Sequence, residues 1–110
     1  MSSCTAEIDI EHLAAGLNGE AAVIDVGKAR EYVAGHVPGA ALMPMSRLSG
    51  HMDELDKTRP LFVVCGSGNR SAAMTDLLVA SGYDAYSVAG GTAAWTRSGR
   101  PLEIGAPTGR

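Results

Sequence analysis

The sequence predicts an α/β layer fold: a mostly parallel sheet flanked by helices on both faces. Three observations carry that expectation. Short apolar runs alternate with segments of helical period along the chain. The run Leu61 to Cys65 is continuously apolar, the pattern of a strand buried on both faces. The breaks between segments carry turn chemistry, at Asn18-Gly19, Gly35, Pro38-Gly39, Gly82 and Gly90-Gly91.

The elements follow in order. Ile10, Leu13, Ala14 and Leu17 keep helical spacing, with Asp9 as N-cap and Asn18-Gly19 as the stop. Ala22 to Val26 reads as a short buried strand, and Ala29 to Ala34 as a short helix ended by Gly35. His36 to Ala40 reads as a turn, and Ala41 to Met43 as a short strand ahead of Pro44. After the Leu61 to Cys65 strand, Ser71 to Ser81 is the clearest helix, with Ala73, Met74, Leu77 and Leu78 as its apolar stripe and Gly82 as its stop. Ala85 to Val88 is another short strand, and Thr92 to Ser98 a last helical turn or two before an irregular tail.

A chain of 110 residues supports one domain over 1–110, with a core spanning about 7–103. Apolar residues at 45% and charged residues at 19% suit a soluble fold, and aromatics at 5% leave the core to aliphatic side chains. A net charge of −3 with no basic run argues against nucleic acid. No long apolar stretch or signal pattern argues for a membrane or export, so a cytoplasmic monomer is expected. Cys4 and Cys65 form no CxxC pair, and His12, His36 and His51 lack metal-ligand spacing, so neither a disulfide framework nor a metal site is expected.

The chemistry converges on Cys65. Right-handed crossovers bring strand C-termini to one edge of a parallel sheet, where ligands bind, and Asp25 and Cys65 both end strands there. Gly66-Ser67-Gly68-Asn69-Arg70-Ser71 follows, and then a helix. A Gly-rich turn into a helix presents consecutive N–H groups that form an anion cradle, backed by the helix dipole. A sulfur there is expected to be a thiolate, since comparable settings lower a cysteine from about 8.5 to roughly 3.5–7.5. The competing reading is a buried strand cysteine, because cysteines are among the most buried residues. The strand-end position favours an exposed, electropositive site instead.

Cys65-Gly66-Ser67-Gly68-Asn69-Arg70-Ser71 resembles the active-site loop of rhodanese domains, Cys–four residues–Arg–Ser. Ile24-Asp25-Val26 looks like that family's strand ending in aspartate. Glu31 to Ala40 is similar to its Glu-aromatic-x-x-Gly-His-Ile-Pro-Gly-Ala segment, and Gly90-Gly91, Trp95, Gly99 and Pro101 resemble its C-terminal signature. The resemblance implies a five-stranded rhodanese-like sheet and a cysteine that takes a sulfane sulfur as persulfide and passes it to a thiophile. It implies no cofactor. The donor would be thiosulfate, a persulfide or polysulfide, and the acceptor a thiol, on a small molecule or a protein. Related phosphatases have a loop one residue longer, so phosphatase or arsenate reductase activity is disfavoured by the four-residue interval. A non-catalytic sulfur-carrier or protein-binding module is the other alternative. Many single-domain members carry arginine where this chain has Gly27, and a basic residue where it has Gly66. Attraction for a dianion then rests on backbone amides and Arg70.

The remaining candidates have two readings each. Arg70 either holds the anion or locks the loop by pairing with Asp25, and the lock is favoured. Ser71 is read as a helix cap rather than a catalyst, and Asn69 as a partner within the loop. His36 is read as a turn residue, His12 and His51 as surface, and Trp95 as core.

Overall fold

A computed structural model describes residues 6–17, 19, 21–66 and 69–105. The chain runs through β1 (Glu7–Ile8), α1 (Ile10–Gly16), β2 (Ala22–Asp25), α2 (Ala29–Ala34), β3 (Ala41–Leu42), α3 (Met45–His51), a 3-10 turn (Met52–Glu54), β4 (Leu61–Val64), α4 (Asn69–Ala80), β5 (Ala85–Val88) and α5 (Gly91–Arg97). The strands form a five-stranded sheet in the order β1-β5-β4-β2-β3, and every pair is parallel.

Side chains alternate across a strand, so each inner strand feeds two cores. Phe62 and Val64 of β4 join Val23, Leu13 of α1 and Trp95 of α5 on one face. Leu61, Val63 and Cys65 join Ile24, Leu48 of α3 and Leu78 of α4 on the other. Helices thus cover both faces, as expected. Leu13, Leu48 and Leu78 are each fully buried, and each contributes about 1.5–3 kcal/mol of transfer free energy that anchors its helix. Asp9 caps α1, its Oδ1 accepting the His12 N–H at 2.9 Å. No helix among the described residues is long and apolar enough to cross a membrane.

The structure departs from the sequence reading in three places. β1 and α3 were not foreseen. β1 has two residues, too few for a visible period, and the polar residues and Gly50 within α3 mask the spacing of Met45, Leu48 and Met52. α4 begins at Asn69, so Ser71 stands inside the helix rather than capping it. The buried side of α4 is Ser71, Thr75 and Leu78, with Met74 packed beside them, whereas Ala73 and Leu77 are exposed. α4 lies close on β4 and β5, and small hydroxyl-bearing side chains fit that narrow approach where the sequence pattern suggested larger apolar ones.

Candidate functional site

The carbonyl ends of β2 and β4 lie side by side, paired through Asp25 and Val64. Cys65 follows directly after β4. Its sulfur accepts the N–H of Ser71, in the first turn of α4, at 3.4 Å. Its carbonyl accepts the Thr92 N–H at 2.9 Å, and the Gly66 carbonyl accepts the Ala93 N–H at 3.0 Å. The start of α5 therefore clamps the backbone of the cysteine turn. That clamp requires glycine at 91, where φ is +58° and an added Cβ would stand 2.0 Å from the Cys65 carbonyl oxygen. The sequence showed Gly90-Gly91 only as a break. The missing signal was the partner backbone, which lies far away in sequence.

Cys65 is 0% exposed, so the exposed address expected for it is corrected: its side chain belongs to the core under α3 and α4. Parity along β4 decides this, because Leu61, Val63 and Cys65 face the same side. Beneath it, the Ser71 and Ser87 hydroxyls meet at 2.8 Å, both fully buried. The cap role expected for Ser71 thus gives way to an N–H on the sulfur and a hydroxyl on β5. Gly66 is exposed, Asn69 opens α4, and Ser67 and Gly68 lie outside the described residues.

Beside this turn a cavity of about 360 Å³ is lined by Asp25, Glu31, Gly35, Gly66, Arg70, Thr92, Ala93 and Thr96. It gathers Asp25, Gly66 and Arg70 from the expected set. The expected Arg70–Asp25 lock is corrected: Arg70 Nη2 donates to Glu31 Oε1 at 3.0 Å instead. Asp25 turns to its own strand end, where its Oδ1 accepts the Gly27 N–H at 2.8 Å. Glu31 was quoted in the sequence only within a longer motif. Nothing local joins it to a guanidinium 39 residues on.

The two carboxyls differ. Burial pushes Asp25 above its ordinary value, and Glu31 adds to the push, against the Gly27 N–H, His36 and Arg70. Burial also raises Glu31, but the Lys28 N–H and the Arg70 guanidinium outweigh it and hold Glu31 below the usual range. Among the described side chains that line the cavity, the one guanidinium is matched by a carboxylate, so these side chains add no net positive charge. Gly27 lets the acids converge, since a Cβ there would stand 3.0 Å from an oxygen of each.

His36 is buried and stacks on Tyr32 at 3.6 Å between ring centroids. Its Nδ1 lies 2.7 Å from the Tyr32 carbonyl, which only accepts, so Nδ1 carries the proton. The backbone of His36 pairs with Glu103 in an antiparallel bridge, and the turn expected over His36 to Ala40 is confined to Pro38-Gly39. His12 and His51 are not buried, and Trp95 is core, its Nε1 donating to the Pro101 carbonyl at 2.8 Å. No group of three or more metal-ligating side chains clusters among the described residues.

The chain matches the model of the rhodanese-like domain over residues 9–98. A rhodanese-related protein from Thermoplasma volcanium superposes with a TM-score of 0.85 at 27% identity, covering 90% of this chain and 98% of its own. A rhodanese-like domain protein from Staphylococcus aureus gives 0.80 at 32% identity, over 92% of this chain and 99% of that one. A thiosulfate sulfurtransferase from Pseudomonas aeruginosa gives 0.81 at 29% identity, over 96% of this chain but 20% of that longer one.

Proposed function

The chain belongs to the rhodanese-like domain family, and on that footing we propose that it is a sulfurtransferase that carries sulfane sulfur as a persulfide on Cys65. The observation that supports this best is the sulfur itself. It stands at the carbonyl end of β4 and accepts the Ser71 N–H at the start of the 12-residue α4, and the next residue, Gly66, lines a cavity. An N–H donor and a helix N-terminus favour the thiolate, the form that attacks sulfur.

The reaction has two displacements. The Cys65 thiolate bonds to the outer sulfur of the donor, whose S–S bond breaks, and the leaving group departs with the electron pair. An acceptor thiolate then bonds to that outer sulfur, and the S–S bond to Cys65 breaks. Neither step needs a metal, an organic cofactor or an outside oxidant. The negative charge of the persulfide is stabilised by backbone N–H groups at the helix start. The acceptor is a thiol, on a small molecule or a protein.

Intact mass spectrometry after exposure to thiosulfate, polysulfide and mercaptopyruvate tests this. A gain of one sulfur atom, absent in Cys65→Ser and discharged by an added thiol, is the expected result. No gain with any donor would overturn it. The full burial of Cys65 favours a second reading, a sulfur-carrier module loaded by one protein partner. That module would gain the sulfur from its partner and show negligible turnover with free thiosulfate.

A further inference from the structure

The cavity beside Cys65 holds three ionisable side chains, Asp25, Glu31 and Arg70. The other lining residues, Gly35, Gly66, Thr92, Ala93 and Thr96, are uncharged. Among the described lining residues, Arg70 is the cation that could meet an anionic donor, and Glu31 already occupies it at 3.0 Å. Gly27 and Gly66, which flank the site, add no charge. A dianion entering this cavity must therefore displace Glu31 from Arg70 or approach a neutralised pair, with a second carboxyl behind it. Neither route gains the attraction that a lone guanidinium would give.

We propose that Glu31 is a specificity-determining residue that turns the Cys65 site away from dianionic donors such as thiosulfate and towards small persulfides that carry an ammonium group. This rests on the sulfurtransferase reading above. An ammonium a few bonds from the transferred sulfur meets carboxylates here, which converge on the side-chain-free Gly27. Glu31 keeps its charge near neutral pH, because the Lys28 N–H and Arg70 hold its carboxyl below the ordinary range against the effect of burial.

The chemistry balances without an outside reagent. The donor is R–S–SH. The Cys65 thiolate forms a bond to the outer sulfur, and the donor's S–S bond breaks. The inner sulfur leaves as a thiolate with the electron pair and takes the proton released from the outer sulfur. The products are the Cys65 persulfide anion and R–SH.

The test is single-turnover sulfur loading of the whole chain, read by intact mass, with thiosulfate and with cysteamine persulfide as probes. Wild type, Glu31→Gln and Thr96→Lys are compared at low and high salt. Glutamine keeps an acceptor for the Lys28 N–H, and Thr96 is an exposed residue of the cavity wall. Glu31→Gln should speed loading from thiosulfate about tenfold and slow loading from cysteamine persulfide about threefold, as expected for removing one charge near a dianion and near a monocation in a wet site. Thr96→Lys should shift both rates in the same directions by less. Added salt should raise the wild-type rate with thiosulfate and lower it with the cationic donor. Equal changes for both donors in Glu31→Gln, or a wild-type thiosulfate rate that falls with salt, would overturn the proposal. Polysulfide loading of Cys65 with charge-blind rates would break this inference alone. No loading by any donor would remove the sulfurtransferase reading as well.

Discussion

The two strand ends that meet at the cavity are built in opposite ways. At β4, the backbone does the positioning: the Cys65 and Gly66 carbonyls accept N–H groups from α5, and the sulfur accepts one from α4. At β2, side chains do it: Asp25 is folded back on Gly27, and Glu31 reaches from α2 to Arg70. The sulfur side is fully buried, while the Glu31 side chain is 47% exposed. Backbone hydrogen bonds fix where the sulfur stands without relying on a charged side chain, provided that residue 91 has no Cβ. Partly exposed ion pairs contribute little to stability, so their charges can change without loss of the fold. On the proposed function, the sulfur side carries the reaction and the acidic side selects the donor.

Substitutions can separate the two sides. The largest effect belongs to the sulfur. Cys65→Ser should lower sulfur transfer to a thiol by about a thousandfold or more, with the circular dichroism spectrum unchanged. Substantial residual transfer would place the reaction elsewhere. Next comes the clamp. Gly91→Ala drives a Cβ to 2.0 Å from the Cys65 carbonyl oxygen, and should cost about 2–4 kcal/mol in urea unfolding. Gly66→Ala, whose Cβ would meet only Arg70 Nη2 at 3.9 Å, should cost within about 0.5 kcal/mol. Equal costs would mean that α5 does not clamp the turn.

A smaller gain is expected behind the sulfur wall. Thr75 Oγ1 is buried without a hydrogen-bond partner among the described residues. Thr75→Val should stabilise the protein by about 1 kcal/mol, since it removes a desolvated hydroxyl and keeps the shape. A loss of stability on urea titration would show that the hydroxyl is satisfied. The last effect sharpens the acidic side. Asp25 has a folded-state pKa raised by burial above its ordinary 3.8. The folded protein then binds that proton more tightly than the unfolded chain, so Asp25 takes away stability as pH rises from 3.8 through the raised value. Asp25→Asn should raise the urea midpoint at neutral pH, and the difference should fade as the pH is taken below that window. Glu31 has the opposite sign: its lowered pKa gives stability present above 4.5 that is lost as pH falls through the folded value. A lower midpoint for Asp25→Asn at neutral pH would show that its charge supports the fold.

The sequence made the sulfur side legible because its signals are local. An apolar run ending in cysteine, then glycines, then a helical pattern, follow one another without interruption from Leu61 to Leu78, and β4 and α4 follow from them with small shifts. Asp25 was legible for the same reason, at the end of β2. Burial of Cys65 was not, because it depends on which face of β4 α4 covers. Arg70's partner was not either: Asp25 and Glu31 are both acids near the same strand end, and only the fold decides which one the guanidinium reaches. β1 and α3 were missed because one is too short for a period and the other carries a weak one. Of the α4 stripe, Met74 and Leu78 pack as expected, but Ala73 and Leu77 do not, because a rule that counts apolar residues misses Ser71 and Thr75, which complete the packed face.

The order of the sheet has a consequence for synthesis. β1, the first strand made, pairs with β5, the last, and the clamp on Cys65 comes from α5, later still. During synthesis β1 thus stays unpaired until β5 has been made, and the backbone of the cysteine turn stays unclamped until α5 follows. Its closing contacts join residues far apart in the chain, a topology that folds slowly. The thiol itself is covered by Leu48 of α3 and Leu78 of α4, so a fragment that stops before residue 91 would keep both helices that bury the sulfur and lose the clamp that holds its backbone.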